Sequence, residues 1–173
     1  MGDNMLFFYL FASLLLATVI LIIELTSVLI FNIYYRAKIN NLLESVNTRE
    51  DLLFMRFNDF LNLTAEIFRR KGHKVRITDK CGEEGKGLIL DDRQFVEIWK
   101  HSLHHMVEVE TAMKLAKCMQ VNSIYRGMLI SLGDFKYNTK AYCHANVIEC
   151  INGEQLVQMC KEVQRKNMAL ESS

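Results

Sequence analysis

The sequence predicts an α/β domain, a mixed sheet flanked by helices, preceded by one transmembrane helix. Three observations carry this. No Lys or Arg occurs before Arg36, and Leu6 to Ile23 runs 18 residues without a charge. Beyond residue 48, short apolar runs suited to strands alternate with longer segments of helical period. Half of the 173 residues are hydrophobic and 24% are charged, a globular composition that excludes wholesale disorder. Proline is absent, which excludes Pro-rich linkers and collagen-like repeats.

The membrane segment is residues 1–35. Only Ser13 and Thr18 interrupt its first apolar run, and after Glu24 the apolar character resumes through Tyr35. A helix rises about 1.5 Å per residue and a bilayer core takes roughly 20 residues. The stretch therefore crosses once, tilted or continued by an interfacial segment. No Gly or Pro supplies the turn that two crossings need. Tyr34 and Tyr35 stand where an aromatic belt is expected, and Arg36 and Lys38 follow. Those charges place the N-terminus outside and residues 36–173 in the cytoplasm. A cleaved signal peptide is disfavoured: there is no basic leader and no A-x-A-like site. Glu24 reads either as a carboxylate that pairs with a partner or as a tolerated interfacial one. The span also offers a surface for other membrane proteins or for self-association.

Residues 36–48 read as a juxtamembrane helical stalk, with Ile39, Leu42, Leu43 and Val46 at helical spacing, and residues 49–173 as the soluble domain. Thr48 followed by Asp51 resembles a capping box. One helix is predicted from there to about Lys71, with the stripe Leu53, Phe57, Phe60, Leu61, Thr64, Ile67 and Phe68 and a stop at Gly72. Val75 and Ile77 alternate with basic residues as a short strand. GLIL (87–90) and QFVEIW (94–99) flank Asp91-Asp92-Arg93 as a hairpin. Met106, Val109, Met113, Ala116 and Met119 mark a helix, and 123–132 is a buried strand of the parallel type. A helix over 138–145, a strand over 146–150 and a last helix to about Arg165 complete the order. The methionines fall mostly on these apolar stripes and read as core.

Residues 36–173 hold all 21 basic residues and 18 acidic ones, a balance of +3 that permits an anionic partner without requiring one. The five cysteines, an odd number with no CxxC, read as free thiols in a reducing compartment.

GHKV after the first domain helix, EEGKGLIL, QFVEIWK closing the hairpin, RGMLISLGDF and VIECINGEQL occur in an order that resembles the Mrr-like restriction endonucleases of the PD-(D/E)XK nuclease superfamily. The resemblance covers roughly Phe57 to Val163. It implies a restriction-endonuclease-like mixed sheet and a Mg²⁺-dependent DNA endonuclease, in which an Asp on the second strand and a Glu or Gln two residues before a Lys on the third form the site. Carboxylates there hold Mg²⁺, which activates the attacking water. In this chain the Asp position falls on Gly87 and the Glu/Gln position on Ile98. Lys100 alone remains, as a vestigial catalytic residue. Strand alternation turns Glu97 and Trp99 away from Ile98 and Lys100. Asp91 shares Gly87's parity but is four residues on. No metal ligand is expected unless Glu83 or Glu84, on the preceding loop, substitutes to hold Mg²⁺. His101, His104 and His105 lack a carboxylate or cysteine at ligand spacing and read as a polar helix entrance.

The basic run Arg69, Arg70, Lys71, Lys74 and Arg76, with His73, is the candidate double-stranded DNA contact; helix-dipole complementation and attraction to the membrane surface compete for it. The function expected is a membrane-anchored Mrr-like protein that binds DNA with little or no cleavage. The alternative is a nuclease fold serving as a protein-interaction subunit of a membrane assembly.

Overall fold

In the computed structural model residues 2–80 and 85–171 are described, with 2–10, 12–13 and 167–171 described as backbone only. Two compact units divide between Asn40 and Asn41.

Helix α1 (Gly2–Ser45) contains the apolar run. Leu14–Ser45 holds an 18-residue window with a mean hydropathy of 2.7 and is long and apolar enough to cross a membrane. Polar side chains along it satisfy themselves locally, as a membrane interior requires. Thr18 Oγ1 donates to the Leu15 carbonyl at 2.8 Å, and Ser27 Oγ to that of Ile23 at 2.7 Å.

In the second unit, five strands form one sheet in chain order: β1 (Val75–Thr78), β2 (Gly87–Leu90), β3 (Gln94–Trp99), β4 (Arg126–Ser131) and β5 (Ile148–Ile151). β1, β2 and β3 are antiparallel neighbours, while β4 and β5 run parallel to β3. The parallel steps need crossovers, which α4 (Val109–Val121) and α5 (Tyr137–Ala145) provide. The hairpin turn has Asp91 at φ 53° and Asp92 at φ 56°, left-handed angles that Asp tolerates better than most residues.

Side-chain alternation gives the sheet two apolar faces. Leu88, Leu90, Val96, Ile98, Met128 and Ile130 face α3 (Phe57–Arg70) and α6 (Gly153–Glu171). Ile89, Phe95, Leu129 and Ile148 face α4 and α5. Each wholly buried aliphatic or aromatic side chain contributes about 1.5–3 kcal/mol of hydrophobic stabilisation. Leu43 and Val46, from the predicted stalk, join the first of these cores. Gln164 of α6 ties them down by donating to the Leu43 carbonyl at 2.6 Å and the Val46 carbonyl at 3.1 Å.

The predicted helix from Thr48 to Lys71 is two helices. α2 (Arg49–Phe54) ends at Met55, and α3 begins after Arg56; both linking residues are extended, with ψ near 150°. Leu52, not Leu53, is the wholly buried residue of α2, out of phase with the stripe of α3, so one straight helix would not bury both. The capping contact does form: Asp51 Oδ2 accepts from the N–H of Thr48 at 2.9 Å and of Asn47 at 2.9 Å. These bonds hold the Asp51 carboxyl below its ordinary value. The cysteines also depart from expectation. Cys143, Cys150 and Cys160 are free thiols, but Cys118 is disulfide-bonded.

Candidate nuclease-like site

The hairpin β2–β3 decides what the site can be. Leu88 pairs with Val96 and Ile89 with Phe95. Continuing that register puts Gly87 opposite Glu97, and Lys86 opposite Ile98. Directly opposed residues share a face of the sheet. Gly87 and Glu97 therefore belong to the α4/α5 face, whereas Ile98 belongs to the α3/α6 face. This corrects the expectation that Gly87 and Ile98 occupy the two ligand positions of one metal site. They lie on opposite faces and do not converge on one ion. The alternation expected of Glu97 and Trp99 against Ile98 is the arrangement observed.

On the α3/α6 face, Ile98 is fully buried among aliphatic side chains. Its flanking polar groups are lysines engaged elsewhere. Lys100 Nζ donates to the Leu53 carbonyl at 2.7 Å, serving the C-terminal end of α2, whose last carbonyls lack helical partners. Lys86 Nζ donates to Asn58 Oδ1 of α3 at 2.9 Å. An ammonium offers no lone pair to a cation. On the other face Glu97 is the one buried carboxylate among the described residues. Among the described residues neither donor set fits a Mg²⁺ ion, which takes several oxygens in an octahedron. Glu83 and Glu84, the loop carboxylates expected as substitutes, lie outside the described residues. Asp91 is committed to the hairpin: Oδ1 accepts from the Lys74 N–H at 2.8 Å.

The histidines also differ from expectation. Residues 100–106 form a loop, and α4 starts only at Val109. Trp99, projecting on the α4/α5 face, stacks on His101 with ring centroids 3.9 Å apart and interplanar angle 15°, and His105 lies tilted at 5.1 Å. No group of three His, Cys, Asp or Glu residues suited to a metal occurs among the described residues. The stacking is not legible in the sequence, because it depends on a loop folding back onto β3.

The basic run lies at the α3–β1 corner, and each member has an acidic neighbour. Arg69 and Arg70 contact Glu66 at 3.4 and 3.1 Å, Lys71 contacts Glu162 at 3.3 Å, and Lys74 and Arg76 contact Asp92 at 2.9 and 3.7 Å. His73 Nδ1 lies 2.7 Å from Asp91 Oδ2; a carboxylate oxygen accepts, so Nδ1 carries the proton. The bond from His73 and that from the Lys74 N–H lower the Asp91 pKa. The bond and charge of Lys74 do the same for Asp92, and those of Lys71 for Glu162. Five Lys and Arg side chains thus face three carboxylates, Glu66, Glu162 and Asp92, and His73 faces a fourth, Asp91. In the sequence the cations stand out as a run. Their partners Glu66, Glu162, Asp91 and Asp92 do not, because three of the four arrive from other elements.

An αβββαβ order, an antiparallel hairpin feeding a parallel step and helices on both faces define a restriction-endonuclease-like domain. A restriction endonuclease family model, that of the Mrr catalytic domain, matches residues 52–160. The chain belongs to that restriction endonuclease family. No curated protein and no solved structure matches the chain.

Proposed function

We propose that this chain is a membrane-anchored restriction-endonuclease-fold protein that holds duplex DNA weakly and does not cut it by metal-dependent chemistry. The observation that carries the proposal is the β2–β3 register. It separates Gly87 from Ile98, and neither brings a carboxylate. Phosphodiester hydrolysis by this family's route needs an ion clamped by side-chain oxygens. Arg69, Arg70, Lys71, Lys74 and Arg76 are the DNA contacts, exchanging surface carboxylates for phosphates. The exposed ion pairs among them, those of Lys74 and Arg76 with Asp92 above all, are worth only about 0–1 kcal/mol each and yield to a polyanion, whereas the Arg70–Glu66 pair is part-buried. Arg36 and Lys38 at the end of the apolar run favour the cytoplasmic side for the domain.

A second reading, the fold as a protein-interaction module of a membrane assembly, is favoured by the near-neutral pairing of that same run. The full chain in detergent, titrated with labelled duplex DNA with and without Mg²⁺ or Mn²⁺, separates them. Salt-sensitive binding without cleavage supports the first reading. Absence of binding at about 50 mM salt selects the second. Metal-dependent cleavage abolished by Glu83→Ala or Glu84→Ala overturns both.

A further inference from the structure

Outside the nuclease-like site, the α4/α5 face of the sheet holds two free thiols from different elements. Cys143 lies in the last turn of α5 and is buried in the core cluster. Cys150 lies on the edge strand β5, with the parity of Ile148, and packs against that same cluster while staying partly accessible. Each thiol is the largest influence on the other's ionisation. We propose that Cys143 and Cys150 are a peroxide-reactive thiol pair, closing to an intrachain disulfide with Cys150 as the attacking sulfur and Cys143 as the resolving one.

Access assigns the roles first. Cys150 is half-buried, whereas Cys143 is 1% exposed. Electrostatics agree. The bond from the Cys143 S–H and the Lys140 ammonium favour the Cys150 thiolate, against Glu149 beside it. Donating that bond and being buried hold Cys143 as the thiol. A thiolate is the reactive form, and a reachable one beside a second cysteine is the arrangement in which a sulfenic acid is resolved.

In the first step Cys150 sulfur attacks one peroxide oxygen. An S–O bond forms, the O–O bond breaks, and hydroxide leaves to take up the proton lost by Cys150. In the second step Cys143 sulfur attacks the Cys150 sulfenic sulfur. The S–S bond forms, the S–O bond breaks, and the departing hydroxide takes the Cys143 proton. Two thiols lose two electrons and one peroxide becomes two waters. The bond would fasten the edge strand β5 to α5 across the short turn at Val147, whose φ of 57° is unusual for a β-branched residue.

The test uses the full chain in detergent, reduced, freed of reductant, exposed to hydrogen peroxide and then alkylated. Cleavage after glutamate cuts between Glu149 and Cys150; the Cys143 peptide also holds Cys118, whose disulfide the reduction opens, so fragmentation of the linked peptides assigns the bonded sulfur. Cys160 falls on a separate peptide; it is fully buried, its thiol pushed up to about 12 by desolvation, and it serves as the unreactive internal control. Expected are a Cys143–Cys150 linked peptide, a dimedone-trapped sulfenic acid at Cys150 in Cys143→Ser, and an alkylated Cys143 in Cys150→Ser. The wild-type map needs neither variant to fold. Full alkylation of both thiols after peroxide treatment, or Cys143 joined to another cysteine, overturns the proposal.

Discussion

Lys100 Nζ donates to the Leu53 carbonyl, 2.7 Å away, so the lysine that the sequence resemblance marks as catalytic ends a helix here. The break between α2 and α3 leaves that carbonyl without a helical partner, and the ammonium supplies one. A charge-assisted bond of this kind is worth roughly 1.5–3 kcal/mol. Lys100→Met, which keeps most of the aliphatic stem, is expected to lower unfolding stability by about 1–2 kcal/mol in urea titrations. It should leave DNA affinity unchanged. A variant as stable as wild type would remove the capping role.

The register across the hairpin makes a second prediction. Placing carboxylates at the two positions expected from the sequence resemblance, Gly87→Asp with Ile98→Glu, is expected to yield no Mg²⁺ binding, because the two side chains project from opposite faces. Ile98 is 0% exposed, so the glutamate alone costs on the order of 3 kcal/mol or more. Gly87→Asp by itself puts a second carboxylate opposite the buried Glu97, and like charges so placed repel. A cycle with Glu97→Gln should show coupling of about 1 kcal/mol. Metal-dependent cleavage by the grafted double variant would refute the assignment of faces.

The element order is legible in the sequence because period and punctuation agree. GLIL and QFVEIW are short apolar runs, Asp91-Asp92-Arg93 supplies a turn, and a strand as apolar as MLIS has to be covered on both sides. The capping contact of Asp51 is legible for the same local reason. What is not legible depends on contacts distant in sequence. The α2–α3 break follows from which leucine the core accepts. The face of Gly87 relative to Ile98 follows from a register that one residue of slip inverts, which composition does not fix. The periodicity of residues 106–119 suggests a helix entrance at the histidines, but the loop ahead of α4 stacks on Trp99 instead.

Acid should destabilise the domain through Asp51, which caps α2, and through three of the carboxylates beside the basic run. Asp51, Asp91, Asp92 and Glu162 are lowered from ordinary values of 3.8 for the aspartates and 4.5 for the glutamate. A group lowered on folding adds stability that is fully present above its unfolded pKa. That stability disappears as pH falls through the folded value. Unfolding midpoints are therefore expected to be flat above about pH 5 and to drop below about pH 4. Asp91→Asn should flatten the drop, since His73 and the Lys74 N–H would lose a charged acceptor. An unchanged slope in the variant would rule out Asp91 as a contributor.

If the basic run holds DNA, its carboxylates compete with phosphate. Asp92 contacts both Lys74 and Arg76, so Asp92→Asn frees two cations at once. Affinity for duplex DNA should rise in this variant. The slope of log affinity against log salt should steepen by up to about 0.9 for each additional phosphate neutralised. Lys74→Gln with Arg76→Gln should do the reverse. If Asp92→Asn leaves both affinity and slope at wild-type values, the DNA contact lies elsewhere.

The final prediction concerns which side of the membrane the domain occupies. The apolar helix carries no Lys or Arg before Arg36, and Lys38 follows at once, so the charge asymmetry points those residues to the cytoplasm. The disulfide at Cys118 points the other way, because such bonds persist in oxidising compartments. The charges weigh more. They act on insertion itself, whereas a single disulfide reports the redox conditions the folded domain later meets. Sealed vesicles of defined orientation, carrying the full chain and treated with trypsin, resolve the conflict. Inside-out vesicles should lose the 41–173 unit, cut at its many Lys and Arg positions. Right-side-out vesicles should protect it until detergent is added. Digestion only in right-side-out vesicles would reverse the topology, place the Cys118 disulfide in its ordinary compartment and put the domain out of reach of cytoplasmic DNA.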